Sequence, residues 1–139
     1  MNAEPWSDRI TRGGLVDLHA ESIRRFGGDA SPDAQEGCLD RSLGAAWNAE
    51  LYNSEPDAIS GLCFAGCLLF YLIMNHCFVD GNKRVAWAAC MECLRTLGLT
   101  LNATDEEAEQ YCLSVIRRDV KNATDVSRWL APKLEAFAE

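Results

Sequence analysis

Residues 58–74 read AISGLCFAGCLLFYLIM, a run of 17 broken only by Ser60, two glycines and the hydroxyl of Tyr71. It sits at the lower length limit for crossing a bilayer, which takes about 20 apolar residues. It also runs straight into Asn75-His76 and a charged loop. The run therefore predicts a helix buried on most sides within a small bundle, not a membrane span. Ser54 with Asp57 three residues later fits a capping box opening that helix. A second apolar helix follows the loop at residues 76–83, runs to about Leu97 and stops at Gly98.

Outward from this pair the punctuation stays helical. Leu15, Leu18, Ser22, Ile23 and Phe26 recur at helical intervals and stop at Gly27-Gly28. A polar loop over 29–36 leads to a short segment with Leu39, Leu43, Ala46 and Trp47 on one face. Residues 48–56, NAELYNSEP, read as a connection, extended or hairpin-like. Beyond Gly98, residues 99–101 form a short extended link. The tetrapeptide NATD occurs at 102–105 and again at 122–125, each copy predicting an N-cap threonine with acids in the first turn. Thr104 with Glu107 makes a capping box ahead of the stripe Ala108, Tyr111, Cys112, Val115 and Ile116. After Thr124 the stripe is Val126, Trp129, Leu130, Leu134 and Phe137, divided by Pro132. The expectation is one all-α domain over residues 1–139, a compact bundle of about six helices.

Composition narrows the function classes. The chain has 139 residues, 13 basic and 21 acidic, a formal charge of −8, with 48% hydrophobic residues. These values exclude wholesale disorder. So acidic a surface repels phosphate backbones, which argues against nucleic acid as a direct partner. Arg24-Arg25 and Arg117-Arg118 read as cations near helix C-termini, and the acids at 105–109 as dipole chemistry at a helix start. The N-terminus lacks a basic region followed by an apolar run, so a cytoplasmic protein is expected. The seven cysteines are accordingly expected to be reduced thiols acting as small core residues. Cys63 and Cys67, and Cys90 and Cys93, could each share a helix face, but on helices this apolar the spacing alone is a weak metal signal. His19, among Leu15, Leu18 and Phe26, reads as a hydrogen-bonded core histidine.

Chemistry concentrates between the two apolar helices, at HCFVDGNKR, residues 76–84. Gly81 permits a tight turn and close backbone approach, so the turn and the following helix start offer amides to an anion. Lys83 and Arg84 add point and forked positive charge for phosphate oxygens. Asp80 is a natural Mg²⁺ holder, since that ion binds through one or two carboxylates plus the substrate's phosphates. His76 can take a proton from a hydroxyl nucleophile near neutral pH. Base, metal holder and electrostatic clamp are the parts that phosphoryl transfer needs. On these residues alone, a polar interhelical turn with a structural histidine stays open as the alternative.

HCFVDGNKR resembles the signature of the Fic/Doc family, His-x-Phe-x-Asp/Asn-Gly/Ala-Asn-Gly/Lys-Arg. Resemblance to the Doc (death-on-curing) branch extends to His19, Ile23, Phe26-Gly27-Gly28, the segment GCLDRSL at 37–43 and the helix start at Thr104-Asp105-Glu106-Glu107. These marks span about residues 15–135. The resemblance implies the all-α Fic fold, with the active-site loop between two central buried helices. Fic proteins typically move AMP from ATP to a protein hydroxyl and carry glycine at the position of Lys83. The Doc branch has lysine there, and implies transfer of the γ-phosphate to a threonine of elongation factor Tu, inhibiting translation.

By motif position His76 would be the base and Asp80 the Mg²⁺ holder. Gly81, Asn82, Lys83 and Arg84 would bind the phosphates of ATP, and Phe78 would anchor the loop. Residues 48–56 resemble the flap that aligns the target segment. Cys77 stands where proline is common, and Val85 where threonine often follows the arginine. Trp87 is bulky for its helix face and reads as core packing. No Ser/Thr-x-x-x-Glu-Gly/Asn inhibitory element is present, because Ser31 to Glu36-Gly37 is one residue too long. A Phd-like antitoxin is the restraint this branch implies. A nucleotidyl transferase and a catalytically silent binding module on the same fold are the competing functions.

Overall fold

The computed structural model describes residues 10–30, 37–53 and 59–137. In chain order the elements are α1 (Arg12–Phe26), α2 (Cys38–Leu51), α3 (Leu62–Asn75), α4 (Asn82–Thr96), β1 (Leu99–Leu101), α5 (Asp105–Ile116), α6 (Ala123–Leu130), a 3₁₀ turn (Ala131–Lys133) and β2 (Leu134–Ala136). The fold is all-α, with six helices and a two-stranded ribbon among the described residues.

The apolar run forms the centre as α3. Eleven of the fourteen residues of α3 are buried, and α2, α4 and α6 pack around it. Full burial of a side chain such as Phe64, Leu68, Leu69 or Leu72 contributes about 1.5–3 kcal/mol. Gly66 is a close-approach point. A Cβ there would lie 2.6 Å from the Ser127 hydroxyl and 3.0 Å from its backbone nitrogen, so glycine lets α6 settle onto α3. No helix among the described residues is long and apolar enough to cross a membrane.

Several local expectations change. α2 continues to Leu51, absorbing the first part of the stretch read as a connection. The reason is long-range: the Glu50 carboxylate, in the last turn of α2, accepts from the N–H groups of Gly61 (3.2 Å) and Phe64 (3.0 Å). That carboxylate serves the donors at the start of α3, which begins at Leu62 after Gly61. The capping box read at Ser54 and Asp57, the rest of the flap-like stretch and the Ser31–Glu36 segment lie outside the described residues.

The two NATD copies cap differently. Thr104 and Glu107 close the expected reciprocal box on α5, whereas the second copy caps α6 through Asn122, whose side chain accepts from the Asp125 N–H at 3.1 Å. Beyond the 3₁₀ turn at Pro132, Leu134 belongs to β2 and no longer to a helical stripe. Residues 99–101 become its antiparallel partner, with Leu99 opposite Ala136 and Leu101 opposite Leu134.

Candidate active site

The loop between α3 and α4 has a buried row and an exposed row. His76 ends α3 in the left-handed region at φ 51°, and Gly81 at φ 81° precedes the first residue of α4. Between them Phe78 is fully buried and stacked on the His19 ring, 4.0 Å between centroids and 6° between planes. Asn82 closes the turn from the other side. Its Oδ1 accepts from the Phe78 N–H at 3.0 Å, and its Nδ2 donates to the Phe78 carbonyl at 2.9 Å. The same Nδ2 lies 3.3 Å from His76 Nδ1. The Asn82 side chain is therefore committed to the loop itself. What it leaves for an anion is its backbone N–H at the start of α4, where the helix has unmet donors and positive partial charge.

Cys77 completes the buried row and corrects the thiol expectation. It forms a disulfide with Cys38, the two Cα atoms 5.5 Å apart. The first residue of α2 lies beside the end of α3, a juxtaposition that the 39-residue separation hides in the sequence. Cys63, Cys67, Cys90, Cys93 and Cys112 are free and buried. Burial pushes the thiols of Cys67, Cys93 and Cys112 up to about 12 and raises those of Cys63 and Cys90. They are protonated, unreactive core groups at neutral pH.

The outer row is polar. His76, Asp80 and Arg84 are exposed and Lys83 is half-buried. Asp80 Oδ1 accepts from the Gly81 N–H at 2.8 Å, and Oδ2 accepts from the Asp29 N–H at 3.2 Å. Lys83 Nζ pairs with Glu109 Oε1 of α5 at 2.7 Å. The Arg84 guanidinium lies 4.6 Å from the centroid of the Phe26 ring, a cation–π contact that aims it without consuming its donors.

All six residues singled out in the sequence, His76, Asp80, Gly81, Asn82, Lys83 and Arg84, line one cavity of about 360 Å³. A second cavity of about 450 Å³ opens between α1, α4 and α5, walled by Leu18, Phe26 and Trp87 among others. The two share Lys83, Arg84 and Glu109. Trp87 packs against the core, as expected, and also forms part of this wall.

The donor set fits a magnesium–nucleotide arrangement of one kind. No cluster of three or more His, Cys, Asp or Glu side chains suited to a metal occurs among the described residues. A cation at Asp80 would thus have one protein carboxylate, with the remaining oxygens coming from phosphates and water, the usual habit of Mg²⁺.

Sequence reasoning gave no part at the loop to the residues that support it, although the family resemblance marked Phe26, Gly28 and Cys38. Gly28 is one: a Cβ there would lie 2.5 Å from Asp80 Oδ2. Asp29, Glu109 and Phe26 also support the outer row, and Cys38 supports the buried one. Helical spacing marks Phe26, and an acidic first turn marks Glu109, but neither signal says which loop they meet.

Comparison with known proteins agrees with this geometry. A 57-residue stretch is 44% identical to Toxin Doc of Mycolicibacterium smegmatis, covering 40% of this chain and 44% of that protein's length. The Fic/DOC family profile matches residues 9–94, a segment holding α1 through most of α4 and the entire loop. With the loop geometry, that match places the chain in the Fic/DOC family.

Proposed function

We propose that the chain is a Doc-type toxin that transfers the γ-phosphate of ATP to a hydroxyl of a protein target, a threonine of elongation factor Tu being the expected acceptor. The observation that carries the reading is Lys83. It stands where AMP-transferring relatives carry glycine, and it lines both cavities. A polyphosphate crossing between them meets Lys83 and Arg84 together, while the larger, partly apolar cavity suits the nucleoside.

The chemistry assigned to the chain follows from the outer row. The target's hydroxyl oxygen attacks the γ-phosphorus, the bond to the β,γ-bridging oxygen breaks, ADP leaves, and the hydroxyl proton passes to His76. The Asn82 amide can only donate, so its contact makes His76 Nδ1 an acceptor and leaves the neutral ring's proton on Nε2. Presenting a basic nitrogen to the cavity therefore means opening that 3.3 Å contact, which an exposed ring can do by turning. Lys83, Arg84 and the amides at the start of α4 hold the phosphates and offset the charge that builds on them. Asp80 would hold Mg²⁺, which when bound neutralises phosphate charge and orients the chain of phosphates.

Similarity to Toxin Doc supports the toxin role, and the reading includes a Phd-like antitoxin as its restraint. The test is parallel incubation of purified protein and elongation factor Tu with ATP labelled at the γ- or the α-phosphate. Label entering protein from γ-labelled ATP alone is the expected result. Label entering from α-labelled ATP instead identifies a nucleotidyl transferase, and no label from either supports the silent binding module.

A further inference from the structure

The mechanism uses the Asp80 carboxylate but leaves unexplained what holds it. An aspartate on an exposed turn ordinarily samples several rotamers and cannot keep a fixed position beside a phosphate. Here α1 and the residues just past its end supply the restraints from one side. His19 is 2% exposed, and its Nε2 lies 2.7 Å from the Asp80 backbone carbonyl. A carbonyl only accepts, so His19 donates and its proton sits on Nε2. The same ring stacks on Phe78 and lies under Gly81, where a Cβ would come within 3.5–3.6 Å of it. One ring thus touches three of the four residues from 78 to 81. Past the end of α1, Gly28 leaves room for Oδ2, and the Asp29 N–H, 3.2 Å away, fixes its direction.

We propose that His19 is a positioning residue. Through the Asp80 carbonyl it sets the height of the loop, and the Gly28-Asp29 backbone then sets the angle of the Asp80 carboxylate. The inference rests on the reading of Asp80 as a phosphate-side carboxylate, but its physical content is independent of any activity. A merely core-filling histidine would be replaceable by phenylalanine, which keeps the ring and the stack. A positioning histidine needs its N–H, which glutamine supplies and phenylalanine does not.

Amide hydrogen exchange on the folded protein, without ligand, separates these roles. His19→Phe is expected to speed exchange at Asp29 and Gly81 about tenfold, the worth of one hydrogen bond, while leaving the buried amides of α3 unchanged. His19→Gln is expected to keep most of that protection. In the label-transfer assay His19→Phe then loses kcat by on the order of 100-fold, as for a catalytic group displaced by about 1 Å, with a far smaller change in KM for ATP. Gly28→Ala provides a second route, because its Cβ meets the Asp80 carboxylate directly. Its φ of 122° also strains any side chain there, so the melting temperature is expected to fall while the folded fraction loses kcat as His19→Phe does.

The proposal is overturned if His19→Phe retains wild-type protection at Asp29 and Gly81, or if His19→Gln loses as much as His19→Phe. If the wild-type protein transfers no label, the enzymatic reading fails alone, and the exchange data still decide the role of His19.

Discussion

The two rows of the 76–84 loop obey different rules. Cys77, Phe78 and Asn82 are buried and tied by a disulfide, a ring stack and reciprocal amide bonds. His76, Asp80, Lys83 and Arg84 face outward, and three of them lean on other segments, Asp80 through His19 and Asp29, Lys83 through Glu109 and Arg84 through Phe26. A six-residue turn could not hold reactive groups in place unaided. The division of labour teaches that the inner row provides rigidity, so that the outer row can stay accessible without being loose. It follows that inner substitutions should act on stability and outer ones on transfer.

Phe78→Ala should show the largest inner-row effect. Truncating a fully buried phenylalanine costs about 3–5 kcal/mol, and the stack on His19 goes with it. Urea melts read the loss directly. A loss below about 1 kcal/mol would mean that the loop is not anchored there.

Reducing the Cys38–Cys77 bridge, or replacing both residues with serine, should cost ~3–4 kcal/mol for a loop of this size. Phe78, Asn82 and His19 remain in place, so transfer by the folded fraction should stay within a few-fold. Abolished transfer with an unchanged melt would show that the disulfide, and not the other inner contacts, orients His76. Native-state alkylation sharpens the same point. The five free thiols, buried and held protonated, should react with iodoacetamide only on unfolding.

The outer row predicts smaller effects where its members are only braced. The Lys83–Glu109 pair is substantially solvent-exposed and worth well under about 1 kcal/mol. Glu109→Gln removes a negative charge beside a phosphate site, so KM for ATP should fall about two- to fivefold with kcat unchanged. A rise in KM would mean that Glu109 holds Lys83 in its working position and does not compete with phosphate.

The mildest effect lies away from the loop, at the α5 cap. Hydrogen bonds from Thr104 hold Glu107 below its ordinary value of 4.5. A carboxylate with a depressed folded value stabilises fully above its unfolded value and loses that contribution as pH falls through the folded one. Glu107→Gln should therefore flatten the acid side of the stability profile and leave transfer at neutral pH unchanged.

Much of this was legible in the sequence, for identifiable reasons. The α3 run, the end of α1 at Gly27-Gly28 and the Thr104–Glu107 box are local patterns, and local patterns survive folding. The six loop residues lie within nine positions, so their convergence on one cavity needed no tertiary information. What stayed hidden depends on contacts between distant segments. Glu50 extends α2 because it reaches the start of α3. Cys38 finds Cys77 because two helix ends meet. The second NATD caps through Asn122 where the first used Thr104, so one tetrapeptide supports two cap registers and its surroundings select between them. Gly28 looked like a helix stop, and its contact with Asp80 could only be seen in three dimensions.

The central claim, that the outer row does chemistry which the inner row merely holds in place, is tested most directly by His76→Ala. The side chain is exposed and its hydrogen bond among the described residues is the long contact to Asn82, so the melt should match wild type to within about 0.5 kcal/mol. Transfer of γ-label to the target should fall by at least about 100-fold, the lower end for loss of a general base. A variant that melts like wild type and still transfers label at the wild-type rate would contradict the account.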